Sequence, residues 1–231
     1  MKRREALIWL GGVTVLAAGK EMAMAGDKAH SGARIELSEV PRGESGSIED
    51  LLHRRRSVRR FAPGALQLGD VGKLLFAAQG INRPRGFRTA PSAGALYPLT
   101  VHIAAGAVQG MEPAVYRYLP DGHALSRVAL GDVRREVADA ALGQMWMAGA
   151  QVILVISAEY AKVTGKYGRR GEQYTHIEAG CAAQNVALQA LDLGLGGTVV
   201  GAFKESLMRD VLRTPPELVP LIAMPIGLLP G

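Results

Sequence analysis

Apolar side chains recur at helical spacing in the first half of the chain. In residues 68–79 they fall on one face, and Gly80 follows where such a helix would end. The face consists of Val71, Leu74, Leu75 and Ala78. Upstream, Ser47-Ile-Glu-Asp50 resembles a capping box, so Ser47 is expected to cap a helix that runs to about Arg56.

The second half of the chain alternates short strand-like runs with helical ones. Strands are predicted at residues 99–105, 114–119, a short run ending at 128, 151–157 and 221–228. Helices are predicted at residues 132–142, 173–193 and 203–212. The apolar positions of the longest helix are Ile177, Cys181, Val186, Leu188 and Leu191. Residues 81–98 hold three prolines and are predicted to form a loop. This interleaved order predicts an α+β fold.

Composition narrows the class of protein. The 231 residues fit one domain, or at most two small ones. Apolar residues make up 48% and charged residues 21%, which argues against a disordered chain, a collagen or a polytopic membrane protein. The single cysteine excludes a disulfide framework and zinc sites built from several cysteines.

The first 25 residues have the organisation of a bacterial export signal. A basic start with Arg3-Arg4 precedes an apolar run at 6–19, which is too short to cross a bilayer about 30 Å thick. Ala23-Met24-Ala25 then offers a small-residue cleavage site. The arginine pair resembles the twin-arginine signal, which directs export of folded proteins. We therefore expect export to the periplasm or cell exterior. An uncleaved N-terminal anchor is the alternative.

The rest of the chain divides into a leader and one domain. Residues 26–46 are rich in glycine, serine and charge, which is typical of an exposed leader, and residues 47–231 show no internal boundary. Loss of residues 1–25 removes four basic and two acidic residues, so the net charge of +6 falls to +4. That charge is too small for nucleic-acid binding unless it is clustered.

Several well-known motifs do not fit the sequence. Residues 197–204 have the wrong spacing for a phosphate-binding P-loop, and Val199 stands where G-x-G-x-x-G needs its third glycine. An H-x-E begins at His176, but the P-C-x-x-C of zinc deaminases is missing. Cys181 is expected to be a small buried hydrophobic residue. Glu178 is expected to be solvated or to lie in an interface.

Five arginines crowd into the segment RRRSVRR at residues 54–60. Such like charges repel one another, so the fold needs carboxylates or a bound anion beside them. A ligand phosphate would supply charge-assisted hydrogen bonds of about 1.5–3 kcal/mol each. A solvated basic face is the simpler alternative.

Two further segments combine small residues with tight turns. Residues 90–98, APSAGALYP, place two prolines around small side chains and could bring backbone N–H groups close to a ligand. Residues 180–203 lead from a helix into a glycine-rich turn and strand, where Gly201-Ala202 would let a flat ring lie against the backbone. An ordinary rigid loop and close helix–strand packing are the respective alternatives.

Three motifs in this order resemble the nitroreductase superfamily, and within it the branch of the streptolysin-S-associated dehydrogenase, SagB. They are R-R-S-x-R-x-F, P-S-A-G-A-L-Y-P and E-A-G-x-x-x-Q-N with the following G-L-G and G-A-F, spread over about residues 47–228. The resemblance implies a central, mostly antiparallel sheet flanked by helices. It also implies a flavin mononucleotide (FMN) cofactor and an intertwined homodimer with two flavin sites at the interface.

The resemblance also implies which residues hold the cofactor. The phosphate and ribityl chain would be held by Arg55, Arg56, Ser57 and Arg59. The loop from the other subunit would close over the flavin with Pro91, Ser92, Ala93, Gly94 and Leu96. The isoalloxazine ring would lie beside Val200, Gly201 and Ala202, with a backbone N–H directed at its N5 atom.

A possible acid–base pair and one departure from the family follow from the same resemblance. Azoline-oxidising relatives use a Lys-Tyr pair, and Lys166-Tyr167 ahead of the long helix resembles it. A surface pair at a helix start is the alternative. Many relatives carry basic C-terminal residues for the phosphate, whereas residues 226–231 contain none. Residues 54–60 are therefore expected to make more of the contacts with the phosphate.

Three hypotheses from different classes result. The favoured one is an exported FMN-dependent oxidoreductase with a ping-pong cycle and a small-molecule substrate. It forms a homodimer, binds no nucleic acid and has no stable membrane association once its signal is removed. The second is a non-catalytic flavin-binding or partner-binding protein on the same fold, and a peptide azoline dehydrogenase is a narrower enzymatic alternative. The third is a nucleic-acid binder that uses residues 54–60.

Overall fold

A six-stranded antiparallel sheet organises the protein, whose structure, a computed structural model, describes residues 38–230. The strands are β1 Ile81–Arg83, β2 Phe87–Arg88, β3 Leu99–Ala105, β4 Ala114–Leu119, β5 Ala124–Leu130, β6 Val152–Ala158, β7 Leu195–Gly197 and β8 Val219–Leu228. The helices are α1 Ile48–Arg54, α2 Leu68–Gln79, α3 Arg134–Ala140, α4 Ala161–Tyr167, α5 Arg170–Asp192 and α6 Glu205–Leu212. The predicted export signal lies outside the described residues.

The sheet has the strand order β5-β4-β3-β6-β8-β7, and each neighbouring pair is antiparallel. β6 lies in the middle and is buried along its whole length. β1 and β2 form a separate small hairpin. The predicted α+β fold with a central antiparallel sheet is therefore confirmed.

Helices cover both faces of the sheet because its strands present apolar residues on both sides. On one face, Val101 and Ile103 of β3 share a core with α2 and α5. On the other, Ile153 and Val155 of β6 pack with α3 and α6. A strand buried on both faces reads as a continuous apolar run, which is why β6 was evident in the sequence.

Helix α5 turns an unexpected face to the sheet. Its buried side chains are mainly small, and they are Gly171, Thr175, Glu178, Ala179, Ala182, Ala183, Val186 and Ala190. Ile177, predicted to be a core position, is 63% exposed. Cys181 is only partly buried, so its expected burial is wrong. Small residues allow the helix to approach the sheet closely, which leaves the larger apolar side chains on the outer face.

Other differences from the sequence predictions concern boundaries and short elements. Residues 81–98 contain the β1–β2 hairpin and two short 3-10 turns, Pro84–Gly86 and Ala93–Ala95, where a plain loop was expected. Helix α4 was not predicted, and α5 begins at Arg170. Ser47 caps α1 as expected, since its Oγ accepts a hydrogen bond from the Asp50 N–H at 3.2 Å. That helix ends at Arg54.

The segment after α1 runs along the last two strands of the sheet. The Val58 N–H donates to the Gly197 carbonyl and the Ala62 N–H to the Leu228 carbonyl, each at 3.0 Å. The buried Gln151 fastens the end of this segment. Its Nε2 donates to the Ala62 carbonyl at 2.8 Å, and its Oε1 accepts from the Leu228 N–H at 3.0 Å.

We predict that Gln151→Leu lowers the free energy of unfolding by about 1–3 kcal/mol, because it leaves partly buried backbone groups of both segments without these partners. Urea denaturation monitored by circular dichroism measures the change. Gln173→Leu, at an exposed position of α5, is the control and should stay within about 0.5 kcal/mol of the unmodified protein. A loss below 1 kcal/mol for Gln151→Leu would contradict this role.

Candidate functional site

An open cavity of about 560 Å³ lies between the arginine segment and the glycine-rich end of α5 and β7. Its walls include the backbone and side chains of residues 54–59 on one side and residues 194–199 on the other. Met224, Ile226 and Leu229 add an apolar floor from β8 and the residue after it. Gly196 permits this arrangement, because a Cβ there would come within 2.9 Å of the Val58 side chain.

The cavity carries an excess of positive charge. Asp50 pairs with Arg54 at 3.3 Å and with Arg42, also at 3.3 Å. Within residues 38–230, no carboxylate pairs with Arg55 or Arg56, and both are exposed. The predicted phosphate residues therefore lie together on one wall with their charges available to an anion.

Arg59 and Arg60 differ in their relation to the cavity. Arg59 lines the cavity, and its guanidinium carbon lies 5.8 Å from the ring centre of Trp146. Arg60 is not part of the cavity wall. The wall takes up the consecutive residues 54–59, so Arg60 lies just beyond its end.

The segment predicted to lie beside a flat ring begins at the end of this cavity. Val200 is buried in the core, and its N–H donates to the Ala223 carbonyl at 2.8 Å. Val200 therefore has no free N–H for a ligand. Gly201 and Ala202 are exposed, and within the described residues neither backbone N–H has a hydrogen-bond partner. The donor expected from the sequence can come only from these two.

Nothing in the fold of this chain requires a glycine at position 201. Its φ is not in the positive range, and a Cβ built on it would meet no atom within 4 Å. The fold alone would accept a larger side chain here. An exposed, open glycine beside the arginine-lined cavity fits a planar group that lies flat on the backbone.

The loop from Pro91 to Leu96 adopts a strained conformation. Gly94, Ala95 and Tyr97 have φ values of 61°, 54° and 45°, in the left-handed region that alanine and tyrosine disfavour. The Ser92 hydroxyl accepts a hydrogen bond from the Tyr97 N–H at 2.9 Å. Strain of this kind persists only where surrounding contacts hold it, and it clusters at functional sites.

The Lys166-Tyr167 pair lies directly against this loop. A Cβ at Gly94 would be 2.7 Å from the Tyr167 hydroxyl and 3.0 Å from the Lys166 amine nitrogen. Both residues belong to the last turn of α4, where Tyr167 also packs edge-on against Tyr174 at 5.3 Å. The structure thus joins two sets of candidate residues that are about 70 positions apart in sequence.

The site residues therefore form two clusters in one chain. Within residues 38–230, the wall of the arginine-lined cavity includes neither the loop Pro91–Leu96 nor Lys166-Tyr167. Large apolar side chains are exposed on the neighbouring helices. They are Ile48 and Leu52 of α1, Phe76 of α2 and Ile177 of α5. Leu130 of β5 and other large apolar side chains are exposed as well, so exposure alone does not single out these helices as an interaction surface.

Sequence reasoning missed Glu178, which was expected to be solvated or in an interface. Only 2% of it is exposed in the chain, so the expectation that it is solvated is wrong. Burial raises its pKa from 4.5 to about 7, against the opposing effects of the Ser92 hydroxyl and the charge of Arg88. Nothing in the sequence indicated that Glu178 is buried, because the neighbouring Ile177 was predicted to be on the buried face of the helix.

In the described part of the chain, no group of three or more His, Cys, Asp or Glu side chains is arranged to hold a metal ion. No helix among residues 38–230 is long and apolar enough to cross a membrane.

The sequence matches the profile of the Nitroreductase family over residues 52–228. A protein of Methanocaldococcus jannaschii that bears the name nitroreductase is 43% identical over 189 residues, covering 82% of this chain and 94% of its own length. The family match spans the arginine segment, the loop and the glycine-rich segment.

Solved structures show the same fold. A nitroreductase structure from Ralstonia eutropha matches with a TM-score of 0.69 and 26% identity over 84% of this chain and 89% of its own. A nitroreductase structure from Anabaena variabilis matches with a TM-score of 0.70 and 27% identity. That match covers 79% of this chain but only 38% of the longer Anabaena chain. A chain of the Escherichia coli microcin synthetase complex McbBCD shares the fold, with a TM-score of 0.68. It is 23% identical over 96% of this chain and 85% of its own length.

We predict that Glu178→Gln makes the protein more stable than the unmodified form at pH 8, by about 1–3 kcal/mol. Between pH 4.5 and about 7 the folded chain keeps a proton that the unfolded chain has lost. The contribution of this carboxyl to stability is therefore complete below pH 4.5 and lost as the pH rises through 7. Urea denaturation at pH 5 and pH 8 measures it.

Glu172→Gln is the control for that experiment, because Glu172 is an exposed carboxylate on the same helix. This substitution should leave the difference in the free energy of unfolding between pH 5 and pH 8 unchanged. If Glu178→Gln lost stability at pH 8, or kept the pH dependence of the unmodified protein, the neutral buried form of Glu178 would be refuted.

Proposed function

Because this chain belongs to the nitroreductase family, we propose that it is an FMN-dependent oxidoreductase of the SagB type. It moves electrons from a donor to a small organic acceptor. The observation that carries the proposal is a cavity wall with Arg55 and Arg56, neither of which pairs with a carboxylate within residues 38–230, together with the open glycine Gly201, two residues beyond Val199 of the opposite wall. That combination suits a ligand with an anionic end and a flat end. The lack of a dinucleotide motif favours FMN over a dinucleotide.

Different residues of this chain would bind different parts of the ligand. Arg55, Arg56, Ser57 and Arg59 bind the phosphate and ribityl chain with charge-assisted hydrogen bonds. Gly201 and Ala202 offer backbone donors to the edge of the ring, since the Val200 N–H is already used. Bound FMN would supply the redox chemistry, with two half-reactions in ping-pong order. The apolar floor from Met224 and Ile226 keeps water from the inner side of the cavity.

We propose a homodimer in which the loop Pro91–Leu96 of one subunit closes the arginine-lined cavity of the other. Two observations support it. Within residues 38–230 the loop is not part of that cavity wall in its own chain, and exposed apolar side chains lie on α1, α2 and α5. Lys166 and Tyr167 would then accompany the loop to the same site, because they lie against Gly94.

The most direct test is the absorption spectrum of the purified protein with the mass of any released cofactor. A flavin spectrum with one FMN per subunit supports the proposal, and recovery of FAD alone or no affinity for FMN refutes it. Turnover of a quinone or nitroaromatic acceptor separates the enzyme from a non-catalytic flavin-binding protein. A nucleic-acid binder would show neither.

The contact of Lys166 and Tyr167 with Gly94 also favours a second candidate, a peptide azoline dehydrogenase. In that reaction the pair would hold and move a proton of the substrate. Lys166→Met and Tyr167→Phe should then abolish turnover of a thiazoline peptide while FMN stays bound. Equal turnover in the variants would remove this candidate. The expected export counts against it, because such peptide substrates are cytoplasmic.

We predict that Arg59→Ala or Arg55→Ala weakens FMN binding roughly tenfold to 150-fold, or about 1.5–3 kcal/mol, through loss of a charge-assisted contact. Arg60→Ala is the matched control, because Arg60 lies outside the cavity wall. Titration of the FMN-free protein followed by flavin fluorescence measures the affinities. A larger effect from Arg60→Ala would show that the opposite side of the segment faces the ligand.

We predict that Gly201→Ala leaves the free energy of unfolding within about 0.5 kcal/mol but weakens FMN binding at least tenfold. The Cβ has room in the protein alone and would occupy the place of the ring. Gly69→Ala, at another position where a Cβ meets nothing within 4 Å, is the control and should change neither quantity much. Unimpaired FMN binding by Gly201→Ala would place the ring elsewhere.

We also propose that the protein is exported after it has folded and bound FMN in the cytoplasm, since Arg3-Arg4 resembles a twin-arginine signal. Replacing both arginines by lysine should leave a loaded dimer in the cytoplasm with residues 1–25 uncleaved. The apolar run at 6–19 is unchanged, so a general secretory signal would still work. Continued cleavage and export would refute the twin-arginine route without touching the flavin proposal.

A further inference from the structure

Five residues from four parts of the chain meet behind the strained loop Pro91–Leu96. They are Gln79 at the end of α2, Arg88 of β2, Ser92 and Tyr97 of the loop, and Glu178 of α5. Gln79 is 1% exposed and Glu178 is 2% exposed. Charged and polar groups of this kind are rarely buried without a specific partner.

Arg88 makes most of the contacts in this group. Its backbone N–H donates to the Tyr97 hydroxyl at 3.3 Å, and its guanidinium carbon lies 4.7 Å from the Tyr97 ring centre. Its Nη1 donates to Gln79 Oε1 at 2.6 Å and to the Leu99 carbonyl at 3.5 Å. Arg88 therefore holds Tyr97 from two sides and ties it to α2 and to the first residue of β3.

Glu178 is a buried carboxyl close to this group of residues. Burial lowers the pKa of Arg88, and the charge of Glu178 is the largest influence that opposes this. Burial raises the pKa of Glu178, and the Ser92 hydroxyl and Arg88 oppose that rise. Within residues 38–230 no ion pair joins Glu178 to Arg88, and Glu178 Oε1 has no hydrogen-bond partner. Arg88, which is only partly buried, therefore supports Tyr97 directly, and Glu178 acts on Arg88 through its charge.

We propose that Arg88, with the buried carboxyl of Glu178 near it, is a positioning residue that holds Tyr97, and with it residues 92–97, in the strained conformation that sets Gly94 against Lys166 and Tyr167. Without such contacts, the positive φ angles of Ala95 and Tyr97 would relax, because L side chains disfavour that conformation. Gly94 would then leave its place beside α4. Arg88 acts through Tyr97 and does not itself contact a ligand.

This inference rests on the proposed function only in assigning the loop to a flavin site. Hydrogen–deuterium exchange at the Tyr97 amide, which bonds to Ser92 Oγ, reports the loop directly. The amide of Leu154, in the fully buried middle strand, reports global opening. Both are measured at one pH in the purified full-length protein, first as isolated and then with added FMN.

Arg88→Lys keeps the charge but loses the planar group that stacks on Tyr97 and bonds to Gln79. It should speed exchange at Tyr97 at least fivefold while Leu154 changes less than twofold. Tyr97→Phe removes only the hydroxyl and should give a smaller increase in the same direction. Arg85→Lys, on the exposed turn of the same hairpin, is the matched control and should change neither amide.

Glu178→Gln at pH 8 separates positioning from simple packing. It removes the opposing charge, so exchange at Tyr97 should rise about threefold or more although Leu154 exchanges no faster. A purely structural role would move the two amides together. Unchanged exchange at Tyr97 in both Arg88→Lys and Glu178→Gln, or a parallel rise at Leu154 in both, would overturn the inference. Absence of FMN binding would refute the proposed function instead and leave the exchange result valid.

Discussion

The docking of residues 55–62 onto the last two strands is the interaction on which the candidate site depends. Two backbone hydrogen bonds, from Val58 to Gly197 and from Ala62 to Leu228, keep this segment extended. Residues 54–59 form the cavity wall along this segment, and Arg60 lies beyond the end of that wall. Gln151 joins the end of the segment to β8 from beneath. The position of the cationic wall thus follows from the edge of the sheet rather than from the arginines themselves.

The two clusters of candidate residues are built in different ways. The arginine-lined cavity is open, and its charged wall is held mainly through backbone groups. The loop Pro91–Leu96 instead depends on side chains, because Ser92 and Arg88 bond to Tyr97. Rigid support from separate elements is what holds a functional loop in a strained geometry. The divided construction is compatible with a site completed by a second copy of the chain.

Much of the fold was predictable because its pattern is local. Helix α2 and strands β3 and β4 occur at the predicted residues, since spacing and turn residues specify them without tertiary information. Helix α4 has only one buried side chain, Val163, contains Gly165 and is followed directly by Gly168, so it shows little periodicity. The buried face of α5 was mistaken because the sheet selects small residues there. The sequence could not predict that Gly94 lies near Tyr167 or that Arg88 lies near Glu178, because only the folded chain brings these residues together.

The unneutralised arginines beside the cavity have a consequence for binding rates. Exposed charges act over roughly the Debye length, about 8 Å at physiological ionic strength, so the wall formed by Arg55 and Arg56 attracts an anion before contact. Capture of a phosphate-bearing molecule should therefore slow as salt is added. Its escape depends on short-range contacts with the cavity wall and should respond less. Once such a molecule is bound, slow escape rather than repeated capture would therefore keep it in the cavity when the salt concentration rises.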